Sequence, residues 1–586
     1  MTDTPHRVLI VGGVAGGMSA AARLRRLDEA AEIVVLEADE YVSFANCGLP
    51  YHIAGDIPDR NSLLLQTPAS LAAQLNLDVR VAHRVEAIDR TSKSVAVHDL
   101  HSGTRYELPY DKLVLAPGAT PVRPPLAGVD HPRIMALRNI PDMDAIKAVV
   151  DGGATAAVVI GGGYIGLEMV EALHARGLHV TLVEALPHVM AVLDDEMSRE
   201  VTDHIAAHGV DVHLSTQARA FEDADGRVVV HLAGPLGAST TVVADLVVMS
   251  VGVRPGSDLA RAAGLELTER GSIVVNSHQQ TSDPDIYAVG DSVAVTDTVL
   301  GVRTVIALAG PANRQGRIAA DHIVGHAGRS ARYTTSQGSS VVKVFEMTAG
   351  ITGASERALR AAQRPYAKVH LHPNGHAGYY PGTNPMHLKL LFDPQDGTVL
   401  GAQIAGWDGV DKRLDVLAVA VRHRLTVEDL EELELAYAPP YSSAKDPVNM
   451  AGFQAANVLR GDLELWYADE WPGLPADAQL LDVRSAGEHR RWNIRGSLLV
   501  PLPELRKQLA ELPRDRTYYV YCRSGFRSYL AYRILVQEGF RAKTLSGGEL
   551  TFQAVHADAA APVGVKHLPV VNYAEEVFAM AEDFVI

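Results

Sequence analysis

The sequence predicts an α/β protein built on parallel sheets, and three passages predict it. R-V-L-I-V runs into G-G-V-A-G-G at Gly12 to Gly17, A-V-V-I into G-G-G-Y-I-G at Gly161 to Gly166, and Y-Y-V-Y into C-R-S-G-F-R-S at Cys522 to Ser528. In each, a β-branched or aromatic run meets a loop that opens a helix, the pattern of a strand covered on both faces. At roughly 100 to 200 residues per domain, a chain of 586 residues has room for three to five domains.

The first passage continues into an amphipathic stretch, which predicts a helix from about Met18 to Leu27, and then into I-V-V-L-E, a second strand closing on Glu37. Strand, glycine turn, helix, strand and terminal acid is the order of a dinucleotide-binding unit. The turn, with Gly12, Gly13, Ala15, Gly16 and Gly17, lets backbone amides approach a pyrophosphate at the helix N-terminus, where the dipole favours anions. Glu37 is placed for a ribose hydroxyl. Val14 stands where the middle glycine of G-x-G-x-x-G is usual. The second passage carries the full set, Gly161, Gly163 and Gly166, and H-V-T-L-V-E then ends on Glu184. Two such units predict two Rossmann-like domains and two dinucleotides. Glu184 can accept from a ribose 2′-hydroxyl and would repel a 2′-phosphate, and Ala185, Leu186 and Pro187 offer no arginine to that phosphate. NADH is therefore expected over NADPH.

Composition narrows the class. Hydrophobic content of 47% with 21% charged residues fits globular domains with real cores. A net charge of -17 argues against general binding to nucleic acid or anionic membrane. No apolar run approaches the ~18 residues of a membrane helix, and the strand-like, then glycine-rich start carries no charged region with a cleavage site. Two cysteines cannot build a disulfide framework, so a reducing, cytoplasmic setting is expected. Each lies in a recognisable loop, which suggests that both are reagents. Cys47 is the centre of Y-V-S-F-A-N-C-G-L-P-Y.

S-F-A-N-C-G-L-P-Y resembles the single-cysteine branch of the flavoprotein disulfide reductases, most closely the coenzyme A-disulfide reductases. Most such reductases pair two cysteines as C-x-x-x-x-C, but here the position five after Cys47 is His52. Cys47 must then alternate between thiolate and a mixed disulfide, a persulfide or a sulfenic acid. The resemblance implies FAD, a homodimer, and coenzyme A as bound substrate or cofactor. It assigns Ser43 and Asn46 to support of the thiol, Asp291 in D-I-Y-A-V-G-D to the flavin ribityl chain, and Leu308 to Arg317 to a helix beside the flavin ring. Arg23 and Arg26, at i and i+3, become candidates for the 3′-phospho-ADP end of coenzyme A, although basic residues at a helix C-terminus also have a purely structural use. Tyr437, with Tyr441 as runner-up, and Tyr379 would reach the partner subunit's cysteine as proton donors. The related NADH peroxidases and oxidases carry a histidine in the first glycine turn where Ala15 stands here, which disfavours the alternative of an oxidase or peroxidase cycling through a Cys47 sulfenic acid. A flavin-binding redox sensor without turnover is disfavoured by the two complete nucleotide sites.

From about Tyr333 to Gly452 the alternating strands suggest an α+β domain, by resemblance the dimerisation domain. Asn457 to about Pro475 reads as a connector. Beyond it, L-L-D-V-R with Asp482 and Arg484, the loop at Cys522, and L-S-G-G at Leu545 to Gly548 resemble one rhodanese domain. Its loop amides, with Arg523 and Arg527, would favour a thiolate or persulfide; Arg527 falls one residue early for a C-x5-R phosphatase loop. The expected domains are FAD-binding at 1–118 and 251–330, NAD(P)H-binding at 119–250, dimerisation at 331–452, linker at 453–475, rhodanese at 476–562 and a tail at 563–586. The expected activity is NADH-dependent reduction of persulfides, polysulfides or coenzyme A disulfide through a mixed disulfide at Cys47, fed by a Cys522 persulfide. No metal site, nucleic acid or membrane partner is expected.

Overall fold

The computed structural model describes residues 7–325 and 331–556; the expected tail and the last residues of the expected rhodanese range lie outside the described residues. Two compact units emerge, Met1–Pro187 with Val210–Gly338, and His188–Gly209 with Ser339–Ile586.

The first unit holds two parallel five-stranded sheets. In one, the strands run in the order Ile286–Ala288, Lys112–Leu115, Arg7–Val11, Glu32–Leu36 and Asp78–Arg80. Alternate residues of these strands feed two separate cores: Leu9, Val34 and Leu113 face one, and Val8, Ile10, Val35 and Val114 the other. That double burial is why the strands read as unbroken apolar runs. The other sheet runs Asp211–His213, His179–Val183, Ala156–Ile160, Leu246–Met249 and Ile134–Met135. The chain leaves the first sheet along Ala119–Pro121 and returns along Val253–Pro255, and these two segments pair antiparallel.

The first helix spans Ala15–Leu27 and so begins before the expected Met18. Gly12 makes the turn with φ 101°. Gly16 and Gly17 lie inside the helix, where a Cβ on Gly17 would sit 1.9 Å from the Gly12 carbonyl oxygen. Gly17 serves close helix-to-turn packing and Gly16 the approach of Val289, so their presence does not delay the helix.

In the second unit, an antiparallel sheet runs Ser340–Val344, Met347–Gly353, Val399–Gly406, Met386–Phe392 and Ala367–Leu371. Its central strands are buried along their whole length. A parallel sheet follows in the order Leu465–Trp466, Arg541–Leu545, Thr517–Tyr521, Ala478–Asp482 and Leu498–Leu499.

Two expected boundaries move. Helix Pro447–Leu459 runs through 452, and Leu465–Trp466 pairs with Thr544 and Leu545, so most of the expected linker is structured. Trp466 is fully buried and its indole N–H donates to Val520 O at 3.2 Å. Helix Asp195–Ala207, expected within 119–250, belongs to the second unit instead. A buried ammonium decides this: Lys389 on the antiparallel sheet is ion-paired with Asp194, Glu196 and Glu356 at 2.9, 2.5 and 2.6 Å. An unpaired charge there would be prohibitively costly, so the start of the helix must dock on that sheet. Among the described residues no helix is long and apolar enough to cross a membrane.

Candidate active sites at two cysteines

Cys47 sits in a 3-10 turn, Asn46–Gly48, that leads into the short helix Leu49–Ala54. The motif is pinned on both sides. Ser43 adopts φ 49° and its N–H donates to Gly13 O at 2.8 Å, while the Ala45 N–H donates to Leu63 O at 2.8 Å. A Cβ on Gly48 would lie 2.6 Å from the Leu63 side chain. The thiol is thereby tied to the first glycine turn and left open to solvent; Asn46 beside it is also exposed. His52 is buried and its Nδ1 donates to Ile57 O at 2.6 Å, a packing role.

Enough protein surrounds Cys47 that desolvation pushes its thiol up, and the charges of Glu168 and Asp291 push it further. Glu168 stands on helix Tyr164–Ala175 and accepts a hydrogen bond from the Tyr51 hydroxyl. Desolvation drives Glu168 up to about 7, against that hydrogen bond. Desolvation and then Glu168 push Tyr51 to about 12. A thiol, a phenol and a carboxyl that exchanges its proton near neutrality therefore meet at one place. Glu168 is the residue that the sequence pattern did not single out. No local pattern marked it, because its partners Tyr51 and Cys47 lie in a distant part of the chain.

The two glycine turns are built alike. Glu37 accepts from the N–H of Gly13 at 2.7 Å and of Asp39 at 2.9 Å; Glu184 accepts from Gly162 and Leu186, both at 2.7 Å. Each carboxylate braces its own turn as well as standing at the strand end. The glycines fit a closely approaching pyrophosphate: a Cβ on Gly12 or Gly161 would strike a backbone carbonyl at 2.1 or 2.4 Å, a Cβ on Gly166 would lie 1.9 Å from Gly161 O, and Gly163 has open space beside it. Asp291 lies in the turn Gly290–Ser292, and desolvation alone raises its carboxyl, with no compensating donor. The hydroxyls of a ribityl chain are donors of the kind that it lacks.

The arginines of the first helix separate. Arg25 is buried and clamps the carbonyls of Leu75, Asp28, Glu29 and Asn76. Arg23 is ion-paired to Asp321 at 2.6 Å, while Arg26 is exposed. A phosphate approaching Arg23 would compete with Asp321, so the expected pair is unequal and Arg26 is the more available of the two.

In the second unit, Tyr379 and Tyr437 come together, their hydroxyls 2.7 Å apart, and both are exposed, as is Tyr441. The Tyr437 hydrogen bond pushes Tyr379 up. Exposed phenols paired to each other are not packing residues.

Cys522 follows strand Thr517–Tyr521 directly and is 1% exposed. The Gly525 N–H donates to its Sγ at 3.2 Å, and helix Phe526–Gln537 begins at once. Arg527 departs from expectation: both its terminal nitrogens bind Glu488, at 2.9 and 2.7 Å. That pairing, overcoming the desolvation of Glu488, holds this carboxyl down at about 2. The charge of Arg527 is thus spent on Glu488, and the sulfur is served by the loop amide. Beneath the loop, buried Arg484 bridges Asp482 (2.9 and 2.8 Å) and Glu549, while Tyr521 and His489 also bind Asp482. Ser524, Gly525 and Phe526 wall a cavity of about 240 Å³ with Met450, Phe453 and Tyr529.

Comparison with known proteins decides the family. Residues 6–316 match the family model described as pyridine nucleotide-disulphide oxidoreductase, residues 339–447 its dimerisation domain, and residues 471–554 a rhodanese-like domain. The coenzyme A disulfide reductase of Staphylococcus haemolyticus is 35% identical over 454 residues, which are 77% of this chain and all of that protein. The chain belongs to the pyridine nucleotide-disulphide oxidoreductases. Two solved structures extend the likeness over the rhodanese part. The reduced CoADR-RHD of Bacillus anthracis is 44% identical, covers 95% of this chain and 99% of its own, and superposes with a TM-score of 0.92. An NAD-dependent persulfide reductase from A. fulgidus is 36% identical, covers 93% and 100%, and gives a TM-score of 0.86. This oxidoreductase is therefore a disulfide reductase with a rhodanese domain attached, and the family implies FAD and NAD(P)H.

Proposed function

We propose that this oxidoreductase uses NADH to reduce the sulfur–sulfur bond of a small persulfide, polysulfide or coenzyme A disulfide through a mixed disulfide at Cys47. One observation carries the reading: Cys47 is solvent-exposed beside the first nucleotide turn, and the position of a second redox cysteine is a buried, hydrogen-bonded histidine. The names of the relatives, a coenzyme A disulfide reductase and a persulfide reductase, support the substrate class.

In the proposed cycle the Cys47 thiolate attacks the inner sulfur of R–S–SH, forming Cys47–S–S–R and releasing hydrosulfide; with R–S–S–R the leaving group is R–S⁻. FAD, when bound, supplies two electrons from NADH to that mixed disulfide. Cys47 and R–S⁻ are then both released as thiolates. Because its surroundings raise the thiol, Cys47 needs a proton acceptor before attack, and Glu168, near neutrality, can exchange one through Tyr51. Glu37 and Glu184 hold the two turns, Asp291 binds the ribityl hydroxyls, and Gly12, Gly13, Ala15, Gly16, Gly17, Gly161, Gly163 and Gly166 shape the phosphate cradles. Ser43 and Asn46 orient the thiol. Tyr437, steadied by Tyr379, protonates the leaving group from the partner subunit of a homodimer. Arg26, with Arg23 in second place, meets the phosphates of coenzyme A. Cys522 takes up sulfane sulfur, its anionic form stabilised by the Gly525 amide, and delivers it to a thiol that enters beside Phe453 and Phe526.

The test is Cys47→Ser in the FAD-loaded chain. NADH should still bleach the flavin, while oxidation of NADH by coenzyme A persulfide or disulfide should stop. Full turnover would overturn the reading. For Glu184, a higher kcat/KM with NADPH than with NADH would overturn the cofactor assignment.

A further inference from the structure

Among the described residues, three clusters of metal-ligating side chains lie in the second unit, and their chemistry separates them. Asp194, Glu196 and Glu356 form the first, and the Lys389 ammonium already fills its centre. Glu200, His372 and His387 form the second. There His387 donates from Nδ1 to Glu200 at 2.7 Å and accepts at Nε2 from His370 Nδ1 at 3.0 Å, while His372 Nε2 meets the Thr551 hydroxyl at 2.9 Å. Donors and acceptors match, so this cluster closes on itself by hydrogen bonds.

The third cluster leaves one shielded nitrogen unmatched. His204 and His208 stand four residues apart at the end of helix Asp195–Ala207, and Glu346 lies in the turn joining Ser340–Val344 to Met347–Gly353. His208 Nδ1 is 2.9 Å from the carbonyl oxygen of His204. A carbonyl only accepts, so Nδ1 carries a proton and Nε2 is the atom left to face the cluster. Nε2 lies 3.0 Å from Glu346 Oε2 and donates to it when the ring is doubly protonated. His204 Nε2 lies 3.4 Å from the same oxygen, is shielded from solvent and has no hydrogen-bond partner of good geometry. A proton on His208 Nε2 serves Glu346 and leaves His204 Nε2 unmatched; a cation between the three engages all of them.

The spacing suits a metal as well. Bonds of about 2.0–2.1 Å in a tetrahedral site place ligand atoms roughly 3.3–3.4 Å apart, close to the 3.4 Å between His204 and Glu346. The backbone carbonyl on His208 Nδ1 is the outer hydrogen bond that fixes a ligating imidazole. Phe345 stacks on the His208 ring at 3.9 Å and 4°, and Trp407 stands edge-on to His204 at 6.3 Å. The helix C-terminus adds a field that favours positive charge. Two imidazoles and one carboxylate, with Glu346 leading out to solvent, are a borderline donor set suited to Zn²⁺ and similar first-row ions.

We propose that His204, His208 and Glu346 bind a divalent transition-metal ion, of the Zn²⁺ class, that clamps the end of helix Asp195–Ala207 to the hairpin turn at Glu346. The site uses neither cysteine and stands apart from the reductase and sulfurtransferase chemistry.

The experiment is calorimetric titration of Zn²⁺ into the FAD-loaded, chelator-stripped full chain, in a Cys47→Ser/Cys522→Ser background that removes competing thiolates. Glu346→Gln, at an exposed position, and His208→Asn are compared with that parent. The parent should bind Zn²⁺ in a step that each variant weakens by at least about tenfold, the loss expected of a ligand. Ni²⁺ should quench Trp407 fluorescence in the parent and not in Glu346→Gln. A parent that binds no Zn²⁺, or binding of equal strength in the parent and both variants, overturns the proposal.

Discussion

The two cysteines of this chain are opposite solutions to holding a reactive sulfur. Cys522 is buried, a backbone amide is aimed at its sulfur, and Arg527 of its loop is paired to a carboxylate. Its chemistry is set by the loop alone. Cys47 is exposed, yet desolvation pushes its thiol up, and the protein charges that reach it, from Glu168 and Asp291, are negative and push it further. The side chains around it do not make it a good nucleophile, so its reactivity depends on what binds beside it. A self-contained site suits a sulfur carrier. An incomplete one suits a thiol that should react only when electrons and substrate are both present.

The strongest way to break this comparison is to remove each sulfur in turn. Cys47→Ser should lower sulfur-dependent NADH oxidation by on the order of 10³ or more, as loss of a covalent nucleophile does. Rhodanese activity, read as thiosulfate-to-thiol transfer, should be unchanged. Cys522→Ser should abolish that transfer and the thiosulfate-fed oxidation of NADH, yet leave coenzyme A disulfide reduction within about twofold, a range no wider than ordinary surface effects. If both substitutions damage both activities alike, the sites are not independent and the contrast fails. Tyr437→Phe comes next. Loss of a general acid should slow disulfide cleavage by about 100-fold, with NADH-to-flavin transfer intact in stopped-flow traces. Tyr379→Phe, acting through Tyr437, should cost less.

What could be read in the sequence follows from the same physics. The parallel strands were legible because burial on both faces leaves unbroken runs such as R-V-L-I-V, and the turns because only glycine fits where a Cβ would strike a carbonyl. Trp466 was not, since a strand of two residues has no period; its burial depends on Thr544 and Leu545 beside it. The allegiance of helix Asp195–Ala207 was hidden too, because the three carboxylates around Lys389 converge from distant parts of the chain. Local charge misled at Arg527, whose partner Glu488 lies 39 residues away. Glu168 stood in plain view within the second glycine passage, but its meaning needed Cys47 and Tyr51 beside it.

The finest distinction between the two sites is in their carboxyls, and pH should expose it. Glu168 is pushed up to about 7 by desolvation, whereas Arg527 holds Glu488 down at about 2. Unfolded, each would titrate near 4.5. Between 4.5 and 7 the folded chain therefore keeps a proton on Glu168 that the unfolded chain has lost, so stability falls as pH rises through that window. Below 4.5 the unfolded chain is the one that binds the proton at Glu488, and stability falls as pH drops toward 2. Glu168→Gln should flatten the first slope, recovering up to about 3 kcal/mol at pH 8, and Glu488→Gln should flatten only the second while lowering stability at neutral pH. Tm followed against pH in the two variants measures both slopes. The same substitution bears on catalysis: the limb of the reductase pH profile near 7 should vanish in Glu168→Gln, while thiosulfate-to-thiol transfer keeps its profile. A reductase limb that survives the loss of Glu168 would assign that proton to another group and leave the thiol of Cys47 without its exchange partner.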